Sequence, residues 1–350
     1  MISSPLILFR CDGSYEIGLG HVMRCLTLAN ELKDNHECRI LFAIRRGPIG
    51  VEVVRQNGYE ILVSNEERDF DYASWLKEIV VNSGALALVL DVRDNLHRTA
   101  VDELRDLGVL IVIIDDSSER RLSADLGFYP PVPQVRSLDW LDFTGELYVG
   151  WEWVVLRKDC TNLPKRKQGN EQSTVLITMG SSDPAGLTLK AVKALDLVNG
   201  EFDAVVALGP AFRHHEELTN LLANTRFSCR VCQNCGSLPA LMAEADLAVA
   251  SFGVTAYELA AMGVPAIYLC LTEDHAKSAS AFEEAGISTS LGVHNCVSEY
   301  NLAIAISELL NNKMGRIFKA KQCKKLIDGQ GSKRIASIIL NKLLKHDAGI

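Results

Sequence analysis

Residues 110–114 read Leu110-Ile111-Val112-Ile113-Ile114, with no polar side chain among them. A strand with one face in water alternates apolar and polar residues, whereas this run is apolar on both faces. It predicts a strand covered by helices on both sides, as in a parallel sheet. Similar runs lie upstream. Candidate strands in the first half are Leu6–Cys11, Arg39–Ile44, Glu60–Val63, Leu86–Asp91 and Leu110–Asp115. Helix-length amphipathic stretches separate them, at about 20–35, 48–57, 70–83 and 97–107. This is the βαβ alternation of a doubly wound sheet.

The alternation weakens after Ser117, and Pro130, Pro131 and Pro133 argue against regular structure there. A short strand, Leu147–Val149, precedes Trp151–Arg157. Residues 158–173, KDCTNLPKRKQGNEQS, are polar and strongly charged and read as an interdomain linker. Strands then resume at Thr174–Met179, Ala204–Leu208, Phe227–Val231, Leu247–Ala250, Ala266–Leu271 and Ser288–Gly292. Helix-like stretches between and after them fall at about 184–198, 212–223, 237–244, 254–263, 275–285 and 298–311. Ile335, Ile338, Ile339, Lys342 and Leu343 keep helical spacing in a tail. The expected fold is α/β: two Rossmann-like parallel-sheet domains, 1–157 and 174–330, facing each other across a cleft. A C-terminal helix is expected over 331–350.

Composition agrees. The 350 residues correspond to two domains at ~150 residues each. Hydrophobic residues at 48% and charged residues at 23% exclude disorder. With 36 basic and 44 acidic residues the net charge is −8. No basic stripe offers itself to nucleic acid or to an anionic membrane, so an anionic partner is expected to be a small molecule held locally. The ten cysteines are scattered, as reduced cytoplasmic thiols would be. Cys229, Cys232 and Cys235 have the spacing C-x-x-C-x-x-C, but no second cluster completes a zinc or iron–sulfur site. A strand end is preferred there to a metal. The N-terminus lacks a basic segment ahead of its apolar run, and the longest apolar runs are of strand length. Neither a signal peptide nor membrane insertion is expected, and the chain reads as a cytoplasmic monomer.

Ligands of such sheets bind beyond the carboxyl ends of the strands, so the strand-to-helix turns come next. The first runs Asp12-Gly13-Ser14-Tyr15-Glu16-Ile17-Gly18-Leu19-Gly20-His21-Val22-Met23-Arg24. Gly18 and Gly20 allow a tight backbone and close approach of a ligand. The dinucleotide fingerprint G-x-G-x-x-G is absent. His21 falls at a helix start, where the dipole favours anions and disfavours imidazolium. A neutral imidazole there could act as a general base, or the ring could simply cap the helix. Arg24, one turn on, could pair with an anionic substrate or with Asp12. Asp12 and Ser14 could bind a ligand or serve the turn itself. Asp91, Asp115 and Asp116 end apolar strands. For the Asp115–Asp116 pair, capping of the next segment is preferred to a metal.

Two turns of the second half look built for a nucleotide. Met179-Gly180-Ser181-Ser182-Asp183-Pro184 follows a strand and opens a helix, with small residues whose N–H groups suit a diphosphate. The lysine of a Walker A loop is absent. In Ser251-Phe252-Gly253-Val254-Thr255-Ala256-Tyr257-Glu258, the residues Gly253, Val254 and Thr255 would present amides to a phosphate. Glu258 could accept ribose hydroxyls or simply suit the helix dipole. Glu273, Asp274 and His275 form a titratable triplet after the next strand, though neighbours in a turn rarely converge on one ion.

The segment RCDGSYEIGLGHVMRCLTLA (10–29) resembles the opening of the UDP-2,4-diacetamido-2,4,6-trideoxy-altropyranose hydrolases of pseudaminic acid biosynthesis and the related SpsG family of spore coat polysaccharide biosynthesis. SFGVTAYELAAMGVPA (251–266) resembles their second-domain nucleotide turn, which is shared more widely with GT-B glycosyltransferases of the MurG type. The resemblance spans about 5–330. It implies a GT-B fold and metal-independent, inverting hydrolysis of a nucleotide sugar at its anomeric carbon, with release of UDP and no cofactor. By match of motif, His21 would activate water, the Val254–Thr255 amides would hold the diphosphate, Glu258 the ribose, and Gly180–Asp183 would face the cleft. The chain departs from the family at Glu273-Asp274-His275 (usually Glu-Asn-Gln), at Asp91-Val92-Arg93 (usually Asp-x-Tyr) and at Gly180-Ser181 (usually Gly-Gly). These differences bear on the substrate. The rival readings are a GT-B glycosyltransferase with an acceptor other than water, and a nucleotide-sugar-binding protein without catalysis.

Overall fold

The computed structural model describes residues 4–14, 17–45, 47–64, 70–161, 172–233 and 237–348, the side chains of 161 and 346–348 excepted. The chain divides into two compact units. One comprises Met1–Pro131, Val135–Arg157 and Gln330–Ile350; the other comprises Val132–Gln134 and Lys158–Gly329.

The strands of the first unit are β1 (Leu6–Cys11), β2 (Arg39–Ile44), β3 (Glu60–Val63), β4 (Ala87–Asp91), β5 (Leu110–Ile114), β6 (Leu126–Tyr129) and β7 (Glu146–Val149). They form one parallel sheet in the order β3-β2-β1-β4-β5-β6-β7. Every residue of β1, β4 and β5 is buried, as the unbroken apolar run at 110–114 requires. The edge strands β3 and β7 are mostly exposed. The Gly20–His36 helix lays Val22, Cys25, Leu26, Leu28, Ala29 and Leu32 against this sheet. Each fully buried leucine contributes about 1.5–3 kcal/mol.

The second unit repeats the plan with β8 (Ser173–Thr178), β9 (Phe202–Leu208), β10 (Ser228–Gln233), β11 (Leu247–Ser251), β12 (Ala266–Cys270) and β13 (Ser288–Val293). Their order is β10-β9-β8-β11-β12-β13, again parallel. In each sheet the winding direction reverses once, between β1 and β4 and between β8 and β11. Such switch points open a crevice at the carboxyl ends of the strands.

Several expectations need correction. β6 went unread because it has only four residues, with Gly127 inside it and Pro130 just beyond. A short helix, Pro133–Ser137, starts on Pro133, since proline suits the first helical position. The expected linker at 158–173 is narrower: Lys158–Thr161 is helical and Ser173 opens β8, while 162–171 lie outside the described residues. The Lys313–Leu326 helix was unread. The 331–350 tail forms a helix, Gly331–Ala348, and belongs to the first unit's core through Ile335, Ala336, Ile339 and Leu343.

Candidate active site

The loop after β1 is fixed from below by a buried ionic network. Arg10, fully buried in β1, donates from Nη1 and Nη2 to the two carboxylate oxygens of Asp12, each at 2.7 Å. Its Nε donates to Tyr72 Oη at 2.7 Å, and Nη2 also reaches Asp94 Oδ2 at 3.0 Å. Tyr72 donates to the same Asp94 oxygen, and Arg120 joins Asp94 Oδ1 to Asp116 Oδ2. Asp12 also accepts the Arg45 N–H at 2.8 Å. Burial opposes charge on Arg10, but Asp12, Tyr72 and Asp94 raise its pKa above the ordinary guanidinium value. Burial likewise pushes the Asp94 carboxyl up, and Arg10, the Tyr72 hydrogen bond and Arg120 outweigh it. Asp12, expected at the ligand, is thus a buried anchor of the loop.

Above this network the loop turns through Gly18, whose φ of +75° suits glycine. Ser14 serves the turn: its N–H donates to the Gly18 carbonyl and its Oγ accepts the Ile17 N–H, both at 3.3 Å. Tyr15 and Glu16 lie outside the described residues. Gly20 then opens the Gly20–His36 helix, whose N-terminus has no side-chain cap.

His21, in the first turn of that helix, meets Asp91 at the end of β4. Its Nδ1 lies 2.7 Å from Asp91 Oδ1. The register explains the meeting, because Cys11 pairs with Asp91 across β1 and β4. Asp91 is completely buried and also takes a two-pronged contact from Arg24, Nε to Oδ2 and Nη2 to Oδ1, each at 2.6 Å. Burial alone would push the Asp91 carboxyl up; Arg24, then His21, overcome it and hold the group well below the usual carboxylate range. An ionised Asp91 can only accept, so Nδ1 carries the hydrogen of this bond. In the neutral ring Nε2 is then an acceptor. The His21 side chain retains 20% exposure.

Arg24 continues to Asp115 at the end of β5, Nη1 to Oδ2 at 3.4 Å, and the exposed Arg93 approaches the same oxygen at 3.9 Å. Asp115 has φ +54°, a left-handed conformation uncommon outside glycine. Such strain concentrates at functional sites. The proposed pairing of Arg24 with Asp12 does not occur; Asp12 is satisfied by Arg10. The next helical segment, Glu119–Ser123, has Ser118 as its N-cap and no side-chain cap, so capping describes neither residue; Asp116 instead accepts the Ser118 N–H at 2.7 Å in the turn before it. Sequence reading missed Asp91 as the partner of His21 and Arg24. A charged residue closing the apolar run ALVLD was the available signal.

In the second unit, the β8 and β11 turns abut. Gly180 has φ +80°, and a Cβ there would lie 3.7 Å from Ser251 Oγ. A Cβ on Gly209 would fall 2.2 Å from the Ser181 carbonyl, so the loop after β9 packs closely on the same turn. Asp183 is buried, and its two oxygens accept the N–H groups of Leu187 and Thr188, each at 2.8 Å. Both oxygens thus hold the first amides of the Leu187–Asp196 helix.

The Val254–Ala261 helix begins at Gly253 with no side-chain cap, and Val254 is exposed and Thr255 half-buried. The first amides of a helix have no partner within it and favour anions. Glu258 is buried, one turn further. Glu273, Asp274 and His275 occupy the first turn of the Glu273–Glu284 helix, where Thr272 Oγ1 accepts the His275 N–H at 3.1 Å. Successive helical residues point about 100° apart, so the three fan out. Among the described residues no group of three or more His, Cys, Asp or Glu side chains is placed to hold a metal ion. Cys235 lies outside the described residues.

No family model matches the chain. An uncharacterized protein of Methanocaldococcus jannaschii is 26% identical over 272 residues, which are 75% of this chain and 55% of that protein. The chain therefore spans about half the length of that relative. The spore coat polysaccharide biosynthesis protein SpsG of Bacillus subtilis is 24% identical over 345 residues, 94% of this chain and 96% of SpsG. Among solved structures, MurG of Acinetobacter baumannii superposes with a TM-score of 0.75 at 15% identity, covering 96% of this chain and 99% of that one. The spinosyn rhamnosyltransferase SpnG, complexed with thymidine diphosphate, gives 0.66 at 14% identity, covering 95% and 99%. UDP-GlcNAc 2-epimerase of Neisseria meningitidis, bound to UDP-GlcNAc, gives 0.61 at 13% identity, covering 96% and 100%. The chain thus has the two-domain parallel-sheet fold of the GT-B glycosyltransferases, and it is similar to SpsG over nearly its whole length.

Proposed function

We propose that the chain is a nucleotide-sugar hydrolase, cleaving the anomeric C–O bond of a UDP-linked amino- or deoxy-sugar in surface polysaccharide or nonulosonate biosynthesis. The observation that carries this reading is the His21–Asp91 contact at the switch point of the first sheet. A buried carboxylate on Nδ1 orients the ring and stabilises the imidazolium that forms when Nε2 takes a proton. The polysaccharide context rests on the similarity to SpsG.

In this reading His21 Nε2 accepts a proton from water as the water oxygen bonds to the anomeric carbon. The bond from that carbon to the phosphate oxygen breaks, and its electron pair leaves with UDP. The base contributes ~10²–10⁴-fold. Asp91 and Arg24 are positioning residues, and Ser14, Gly18 and Gly20 would line the sugar. The Val254 and Thr255 amides, with the Gly180–Ser181 turn, would meet the charge that grows on the leaving diphosphate. Glu258 would serve the ribose.

The second reading is transfer to an acceptor hydroxyl, with His21 taking that proton instead. The fold shared with MurG and the rhamnosyltransferase favours it. Release of UDP from UDP-sugars, followed with and without candidate acceptors, separates the two. Release in buffer alone is expected. Release that requires an acceptor overturns hydrolysis in favour of transfer.

A further inference from the structure

We infer that the outward face of the Lys313–Leu326 helix is a docking surface for an anionic lipid bilayer. The helix reads KMGRIFKAKQCKKL, with six basic residues and no acid in a chain of net charge −8. Its inward face is fixed by the protein. Buried Arg316 donates to the carbonyls of Leu309 and Leu310 and to Ser173 Oγ, Cys323 is buried, and Lys319 reaches the carbonyls of Gly286 and Ser288.

The outward face differs. Met314, Ile317 and Phe318 are 74%, 40% and 59% exposed, an apolar cluster at i, i+3 and i+4. With Lys321 and Lys325 they share an arc of about 100° on the helix. Lys313, Lys321, Lys324 and Lys325 are all exposed, and none is ion-paired among the described residues. This basic helix stands out against the acidic balance of the whole chain.

Lysines in a last turn suit the helix dipole. That accounts for Lys324 and Lys325, but not for Lys313, Lys321 or the apolar trio. A protein-docking core is depleted in lysine, and a phosphate backbone offers nothing to Met314 and Ile317. Unpaired lysines interleaved with exposed aliphatic and aromatic side chains match an in-plane interfacial helix. Lysine stems lie along the acyl boundary while their ammonium groups meet the headgroups. The contact is peripheral; among the described residues no helix is long and apolar enough to cross a membrane.

Co-sedimentation of the whole chain with vesicles tests this. One set is phosphatidylcholine alone, and the other has about a third phosphatidylserine. Binding is expected only to the anionic set and is expected to weaken as salt rises. Each lysine is worth about fivefold near such a surface. Lys321→Glu with Lys325→Glu should therefore lower binding more than ~10-fold. Met314→Ser with Phe318→Ser should weaken it at every salt concentration. All four positions are exposed, and unchanged melting temperatures confirm the fold. Absence of binding to the anionic vesicles overturns the inference, as does equal binding to both sets or full binding by both variants. A dimer that dissolves in Met314→Ser with Phe318→Ser assigns the face to a second copy instead. Binding of a duplex DNA probe, with no vesicle binding, overturns the inference and assigns the face to nucleic acid.

Discussion

His21 Nδ1 lies 2.7 Å from Asp91 Oδ1, tying the start of one helix to the end of the strand beside it. The contact fixes which ring nitrogen faces outward, and it makes the first unit's loop chemically directional.

Replacing His21 with Asn removes the base and leaves the second unit untouched. Turnover should fall ~10²–10⁴-fold. UDP affinity, measured by calorimetry, should stay within about twofold on the assignment of the nucleotide to the second unit. A variant with parental turnover removes His21 from the chemistry.

Asp91→Asn tests positioning and stability together. It leaves the half-buried Arg24 without its main counter-ion and with only the longer contact to Asp115, so the cost should fall below the ~3–5 kcal/mol of breaking a fully buried pair. The folded Asp91 carboxyl sits below its unfolded value of about 3.9. Its contribution is thus complete above that value and is lost as pH falls toward the lower folded one. Acid titration of the parent should show this loss below about pH 4, and Asp91→Asn should flatten it.

The network beneath the loop should behave as structure. Tyr72→Phe removes a hydroxyl that accepts from Arg10 and donates to Asp94. Unfolding should become easier by about 1–3 kcal/mol, with KM nearly unchanged. A large rise in KM at constant stability would move Tyr72 into the binding site.

Gly253→Asp separates helix stability from anion binding. Among the described residues, and apart from its chain neighbours, no atom lies within 4 Å of a Cβ built there, and its φ of 168° is extended backbone. An aspartate cap should stabilise the Val254–Ala261 helix by about 1 kcal/mol. The same carboxylate should repel a diphosphate. Thermal melting should rise while nucleotide affinity drops at least ~10-fold, read by calorimetry. Unchanged affinity would take the diphosphate away from this helix start.

The fold was legible where burial is complete. β1, β4 and β5 are apolar on both faces because helices cover both, and that pattern survives in one sequence. β6 and the Pro133–Ser137 helix were not legible, because four or five residues carry no period and proline signals both a break and a start. His21 stood out through its glycine frame. Its partner Asp91 is seventy positions away, and only the β1–β4 register brings the two together. The partners of Asp12 and Asp183 were illegible for a related reason: polar residues in a turn look alike whether they meet a ligand or the protein itself. Local spacing does not reveal which amide or guanidinium will claim a carboxylate.

The Gly331–Ala348 helix fills the first unit's core with Ile335, Ala336, Ile339 and Leu343. A chain emerging from the ribosome must therefore make the whole second unit before the first can close. The second unit is nearly contiguous and can fold as it appears. Until the helix docks, the Gly20–His36 helix and the β5 face wait with apolar surface open to water and to chaperones. Birth order along the polypeptide and order of completion are thus reversed.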